Sequence, residues 1–380
     1  MNFDLLATKY FDLRCGERQP LARLVQWMDA RPKLQNLLGW NVLGGSSMAL
    51  DDCSLVIATY QRPRETTTLL TAISGLPDQP AEIVIVDGSE GTDTEAAVRR
   101  WSKDRGLSFA LVYVRSPKGL TRQRNVGIDI SRGQYVFFLD DDCLPLPGYF
   151  SSMRKVFVED RSKQIGAVTG LIVNEMNKPV PRRWRIRLAL GLVPRLPPRI
   201  YHPSGTSVPR NTIPSFSGVR SVDIVDGGAS AFRREVFAEH RFSEFFYGYA
   251  QGEDLEMSLR VRRRWQVLWC GDAHVNHNHA PDGRPTSYRK AFMEVRNRYF
   301  IWKRHSADAK MVDRARFWLD ILFLMIMDLA WFLARPTRPR VLAHGFGLAS
   351  ATLRCLFSPP SYTEPTPRRQ YALQVDEAQS

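Results

Sequence analysis

The amino-acid sequence predicts an α/β fold in which a mostly parallel central sheet carries helices on both faces, with amphipathic helices following at the C-terminal end. Two observations carry that expectation. Four short apolar runs alternate with segments of helical spacing between residues 54 and 139, the pattern of a parallel sheet covered on both sides. Asp140, Asp141 and Asp142 then stand directly behind the fourth run, 135–139. A core strand that ends in three carboxylates is unfavourable unless something positive binds there, because like charges this close repel and raise one another's pKa. A divalent cation turns such a cluster into a hard oxygen-ligand site. The alternative is a solvated turn whose acids cap a following helix.

In chain order, residues 1–52 form an N-terminal extension with weak helical patterning at 21–28 and a Gly-Gly-Ser-Ser linker, and no function is assigned to them. The first strand is 54–59, and helical spacing over 64–73 follows Pro63. A second strand at 82–86 is stopped by Asp87, Gly88 and Ser89, and a polar helix runs through Ala96, Val98 and Trp101. The third strand is 109–114, the next helix 121–130, and the fourth strand 135–139. Residues 222–232 read as a further strand containing the pair Gly227 and Gly228, with small residues that let another group approach the backbone. A helix opens after Gly252, and 266–270 is a strand with His274, His277 and His279 behind it. These elements divide the chain into the extension, a main domain over 53–305 and a C-terminal helical region and tail over 306–380. Within the main domain, the chain divides into two halves, 53–150 and 151–305.

A chain of 380 residues with 44% hydrophobic content buries at least one large core, and no segment repeats another. Five cysteines lie without close pairs and no leader pattern opens the chain, so the expected setting is the reducing, cytosolic side. The net charge of +14 implies an acidic partner, either phosphorylated substrates, anionic lipid or nucleic acid. It is concentrated in a basic, proline-rich loop at 177–222, which has no acid and holds Lys178, Arg182, Arg183, Arg185, Arg187, Arg195, Arg199, Arg210 and Arg220. We expect that loop to face a polyanion.

Ligands of parallel sheets bind beyond the carboxyl ends of the strands, which gathers three loops on one rim: Thr59, Tyr60, Gln61 and Arg62 after the first strand, Asp87 and Gly88 after the second, and the aspartates after the fourth. Neither a Gly-x-Gly-x-x-Gly turn nor a Gly-Lys-Ser/Thr phosphate loop is present. A metal-bridged diphosphate fits that gap, because a cation held by carboxylates neutralises phosphate oxygens. Arg122 and Arg124 begin a helix on the same rim, from which they reach the phosphates, organise the acids or simply face solvent. Glu253 and Asp254 occupy the first turn of the later helix. There the dipole favours acids, as caps or as a base kept ionised.

Together these segments resemble the bacterial family 2 glycosyltransferases of the GT-A fold over roughly 53–305. The resemblance rests on 56–63, 82–89, 119–127, 138–142, 227–229 and 252–254, in that order and spacing. It implies an inverting transferase that uses a nucleotide diphosphate sugar and Mg²⁺ or Mn²⁺, with 53–150 as its nucleotide-binding half and 151–305 as its acceptor half. Asp87 would contact the base, Asp140 the ribose, and Asp142 the metal with His277 nearby. Thr59, Tyr60, Arg62, Gly88, Arg122, Arg124 and Asp141 would line the donor site. Asp254 would deprotonate the acceptor hydroxyl with Glu253 beside it, and Gly228 and Ala229 would meet the acceptor. Ala58 and Gln61 depart from the family's usual proline and asparagine, and a single aspartate, Asp87, closes a strand that often ends in two. Cell-surface polysaccharide or lipopolysaccharide assembly, with a glycan or lipid-linked acceptor, is the implied pathway.

Residues 317–334 are nearly long enough to span a bilayer but include Asp320 and Asp328, so they are expected to lie in the interface of an anionic leaflet or to pack on the main domain. Two rival functions fit the sequence less well. A nucleotidyltransferase needs a basic triphosphate loop where 59–63 offers a poor one. A nucleic-acid or polyanion binder explains the charge, but no zinc, helix-turn-helix or RNA-recognition signature accompanies it.

Overall fold

The computed structural model describes residues 49–280, 285–334 and 336–362. Most of the predicted extension, 1–48, and the tail beyond 362 lie outside the described residues. The sheet is nine-stranded, and its order places the parallel run β3-β2-β1-β4 at one end. These are β1 (Ala49–Thr59), β2 (Gln79–Asp87), β3 (Ala110–Arg115) and β4 (Tyr135–Asp140), linked by α1 (Pro63–Ser74), α2 (Asp93–Ser102) and α3 (Leu120–Ile130).

The period-two alternation of each strand builds two cores. Leu55, Ile57, Ile83, Ile85, Phe137 and Leu139 pack on one face, and Val56, Val84, Val86, Val136 and Phe138 on the other. Helix α3 lies unusually close to β1. A Cβ on Gly127 would stand 2.2 Å from Val56 Cγ1, so a larger residue there would push the helix off the sheet.

Beyond β4 come β5 (Cys143–Pro145), α4 (Tyr149–Glu159), β6 (Ile165–Ile172), α5 (Arg182–Ala189), a two-stranded hairpin of β7 (Tyr201–His202) and β8 (Thr206–Ser207), β9 (Val219–Ser221), β10 (Ala229–Arg233), α6 (Glu253–Val261) and β11 (Gln266–His277). Antiparallel β10 slots between β4 and β6, and β11 runs parallel to β6 at the far side.

Three expectations are corrected here. Only the end of 222–232 is strand, because Asp223 and Asp226 draw the chain before Gly227 out of the sheet: Asp223 accepts from Tyr201 N at 2.8 Å, and Asp226 is gripped by Arg199. The last strand continues past residue 270 to His277, so His274 and His277 sit within it; after a register shift between Trp269 and His274 it pairs again with β6 and then with β5. The basic segment 177–222 is an ordered layer with many arginines turned inward: Arg183 binds Asp328, Arg187 binds Asp320, and Arg199 and Arg210 bind Asp226.

The C-terminal helices α7 (Ser287–His305), α8 (Met311–Ala334) and α9 (Pro339–Phe357) share a core of their own around Val295, Trp302, Phe317, Ile321 and Leu348.

Candidate active site

The short strand β5, which the sequence did not announce, sets the geometry of the aspartate turn. It pairs Cys143 with His277 on β11 and so carries Asp142 to that histidine. Asp142 Oδ1 lies 3.3 Å from His277 Nε2, its Oδ2 accepts from Ala280 N at 2.8 Å, and its carbonyl accepts from Asn278 N at 2.9 Å. Burial opposes ionisation of Asp142, but the hydrogen bond and charge of His277 outweigh it and hold the carboxyl below its ordinary range. Asp141 points the other way, accepting from Thr59 Oγ1 at 2.8 Å and Arg62 Nη1 at 2.7 Å, and burial pushes it up to about 6. Asp140 is the exposed member, with 38% of its side-chain surface open. The three aspartates are thus distinguished: Asp141 fastens the turn, while Asp140 and Asp142 face the rim.

Across the rim, Gly252 enters α6 with φ +92°, a left-handed conformation that suits glycine, and sets Glu253 and Asp254 in the first turn. Asp254 accepts from Leu255 N at 2.7 Å and Gly227 N at 3.3 Å; burial and nearby Asp226 raise its pKa. Glu253 is pushed up to about 8 by burial, with Asp254 adding to the shift and Arg124 opposing it. Arg124 bridges the two acid groups, 3.0 Å from Asp140 Oδ1 and 2.8 Å from Glu253 Oε1, and is almost fully buried. Its guanidinium is spent on the acids, so of the roles open to it, organiser of the cluster is the one its geometry fits. Arg122 pairs with Glu244 at 3.0 Å, on the far side of α3 from that cluster's bonds.

Glycine is required where β10 begins. A Cβ on Gly228 would stand 2.3 Å from Asp140 Oδ2, and one on Gly227 would stand 2.7 Å from Arg124 Nη1. The pair makes room for the Asp140–Arg124–Glu253 link. Ala229, expected to meet the acceptor, is fully buried on β10 and pairs with Leu139 of β4.

On the metal side, His277 Nδ1 lies 2.9 Å from Glu175 Oε1, which also meets His279 Nε2 at 2.8 Å; Arg210 joins Glu175 at 2.7 Å and Asp226 at 2.8 Å. Sequence reasoning missed Glu175, Arg210 and Asp226, which come together only through sheet register. Two donor groups emerge, Asp142 with Cys143 and His277, and Glu175 with His277 and His279. Burial raises the Cys143 thiol well above its usual range, so it is a poor ligand there. The Asp142 carboxylate suits Mg²⁺ or Mn²⁺, and the His277 imidazole fits Mn²⁺ better than the harder Mg²⁺; these two are the residues that would hold the ion.

Burial disfavours charge on His277, yet Asp142 and Glu175 prevail and push it up to about 9 from 6.5. The ring thus contributes stability that is complete below about 6.5 and lost as pH rises through about 9. Glu253 adds a loss of the same sign up to about 8. Metal-free protein should show a thermal midpoint that falls across this window, with His277→Gln and Glu253→Gln each removing part of the fall. An unchanged slope in both variants would mean that neither group is held as described.

At the ends of β1 and β2, Gln123 Nε2 donates to Thr59 O at 2.7 Å and Val86 O at 2.8 Å, and Gly88 N donates to Thr59 O at 3.0 Å. Gln61 adopts φ +53°, where the family's asparagine is more at ease. Lys118 stacks its ammonium 3.6 Å from the Tyr60 ring centroid. Asp87 is fully buried, binding Ser89 Oγ and Tyr113 OH, each at 2.5 Å. In this arrangement it shapes the 87–89 turn, and direct contact with a base would require those bonds to open.

The sheet, with an Asp-x-Asp turn at one strand end and a Glu-Asp helix start across the rim, is of the GT-A type. Residues 54–241, just under half of the chain, match the model for glycosyl transferase family 2. The match stops before Glu253, Asp254 and His277. Over 96 residues (25% of the chain) it is 28% identical to an uncharacterized glycosyltransferase of Haemophilus influenzae, of which it covers 30%. Over 100 residues (26% of the chain) it is 26% identical to the GalNAc(5)-diNAcBac-PP-undecaprenol beta-1,3-glucosyltransferase of Campylobacter jejuni, of which it covers 32%. Among solved structures, the mannosyltransferase PcManGT of Pyrobaculum calidifontis, in complex with GDP-Man and Mn²⁺, aligns with a TM-score of 0.49 and 17% identity over 94% of this chain and 98% of that one.

Proposed function

We propose that the protein is a metal-dependent inverting glycosyltransferase that moves a sugar from a nucleotide diphosphate sugar to an acceptor hydroxyl. The carrying observation is the Arg124 bridge, which holds the Asp140 side of the rim against the Glu253–Asp254 helix start and so sets donor-binding acids opposite a candidate base. The nucleotide would lie over the ends of β1 and β2, with Asp140 turned to the ribose. Asp142 and His277 would hold Mg²⁺ or Mn²⁺, which when bound supplies positive charge against the departing diphosphate.

Asp254 removes the acceptor proton as the acceptor oxygen bonds to the anomeric carbon and the bond from that carbon to the diphosphate oxygen breaks on the opposite face. Its raised pKa makes it a stronger base than an ordinary aspartate. Glu253 is held neutral near pH 7 and locks onto Arg124, so it positions the helix start rather than competing for the proton. A lipid-linked glycan acceptor in cell-surface assembly, on the cytosolic side, completes the proposal. The Campylobacter relative, whose name carries a PP-undecaprenol glycan, supports that acceptor class.

A thermal-shift panel of UDP, GDP, dTDP and CMP, with and without Mn²⁺, tests the donor site. One diphosphate should stabilise the protein only with metal, by about 2.7 kcal/mol at a hundred times its Kd, and Asp142→Ala should abolish the effect. Folded protein that responds to none of the four would overturn the reading.

A further inference from the structure

We infer that α8 and α9 form a docking face for an anionic bilayer surface, an inference independent of the transferase reading. Helix α8 carries two apolar stripes. The inner one buries Phe317, Ile321 and Leu324 together with all three of the helix's acids, Asp313, Asp320 and Asp328. Asp320 meets Arg187 at 2.6 Å and Arg298 at 2.7 Å, and Asp328 meets Arg183 at 2.7 Å and His344 at 2.6 Å. The outer stripe is Leu319, Leu322, Ile326, Leu329 and Leu333, spaced alternately by three and four residues and 47–70% exposed. A helix on an aqueous surface places its charges outward and its aliphatic residues inward. Here the acids are inward and the leucines outward. Helix α9 extends the face with Phe346 at 60%, Leu353 at 55% and Phe357 at 84% exposure. Scattered exposed aliphatics are ordinary, but a five-residue stripe along one helix, with large apolar residues exposed on the helix packed against it, marks an interaction surface.

Charge identifies the occupant. Helix α9 contains no acid and α8 shows none outward, while Arg314, Arg338, Arg340 and Arg354 are exposed on or beside these helices, and Arg182 and Arg185 are exposed on α5, which the ion pairs tie to α8. An apolar stripe fringed by cations, with Trp331 46% exposed near one end, matches headgroups and acyl boundary together. A second copy laid on the same face would set cation against cation. The 24 residues of α8 are long and apolar enough to cross a membrane. Its two central acids, however, are fastened to α5, α7 and α9, so the helix lies along the body with one stripe in and one out. This orientation makes it an in-plane contact rather than a span.

Co-sedimentation of the full chain with phosphatidylcholine vesicles, alone or mixed with phosphatidylglycerol, tests the inference. Binding should require phosphatidylglycerol or be strengthened by it and should weaken with salt. The double variant Arg338→Gln/Arg340→Gln should bind mixed vesicles on the order of tenfold less tightly. Ile326→Glu/Leu329→Glu should lose at least about tenfold on both compositions, with an unaltered thermal midpoint reporting an intact fold. Wild-type protein that ignores both vesicle types, or variants that bind as wild type does, would overturn it. So would a wild-type dimer that the Ile326/Leu329 variant dissociates without vesicles mattering, which would assign the face to a second copy.

Discussion

Asp254→Asn should cut sugar transfer by on the order of 10²-fold or more while leaving metal-dependent nucleotide binding in place. Asparagine keeps the shape of the side chain and the short bond from Leu255 N and gives up only the longer one from Gly227 N, so the start of α6 should hold its place. What is lost is the acceptor of the hydroxyl proton. The loss should therefore fall on kcat, with little change in the KM for donor. The pH profile adds a second readout. Wild-type activity should decline on the acid side as Asp254 takes up a proton at its raised pKa, and the residual activity of the variant should lack that limb. Glu253→Gln should do less, because Glu253 is already neutral near pH 7 and glutamine can still accept from Arg124. Transfer at the wild-type rate by folded Asp254→Asn would move the base elsewhere.

The strands that frame this site were legible because burial on both faces demands unbroken apolar runs, and 82–86 and 135–139 have them. The acids were legible for other reasons: Asp140 to Asp142 are charges placed where a core strand does not want them, and Glu253–Asp254 stand in a first helical turn, where the dipole favours acids. What stayed hidden depends on register. Three residues of β5 carry no periodicity to read, yet their pairing with β11 is what brings Asp142 to His277. Glu175 stands in a single 3₁₀ turn after β6, and its partners are Arg210 and two histidines about a hundred positions away, so no local pattern marks it. Residues 222–232 read as strand from their apolar and small residues around the glycine pair. The carboxylates of Asp223 and Asp226 win instead, since each finds a buried partner outside the sheet.

The same logic corrects the meaning of the basic composition. An acid-free stretch looks like a surface waiting for a polyanion, but charge complementarity can be satisfied across the fold as well as outside it. Arg183, Arg187, Arg199 and Arg210 answer acids that lie between 16 and 145 positions away in the chain. Only the remainder, with the arginines at the ends of α8 and α9, is left to act on a partner.

Asp320→Ala should lower stability by about 3–5 kcal/mol, a large loss for a residue outside the active site. Asp320 is fully buried and makes two bonds of 2.6 Å to Arg187 and a third contact of 2.7 Å to Arg298, which themselves are only 14% and 15% exposed. Deleting the carboxylate leaves two guanidinium groups facing each other with no counter-charge and little access to water. Asp328→Ala should cost less, because its partner Arg183 is 37% exposed and can turn to solvent. The order of the two thermal midpoints is thus a sharper check than either value. Replacing Asp320, Arg187 and Arg298 together with leucine should restore much of the loss, since a buried ionic cluster contributes little net stability over well-packed apolar side chains. What that triple variant should not preserve is orientation: with no acids to fix its inner face, α8 would present two nearly equivalent apolar stripes. Asp320→Ala protein that melts with the wild type would show that the triad does not fasten α8 to the body, and the division into inner and outer stripes would fall with it.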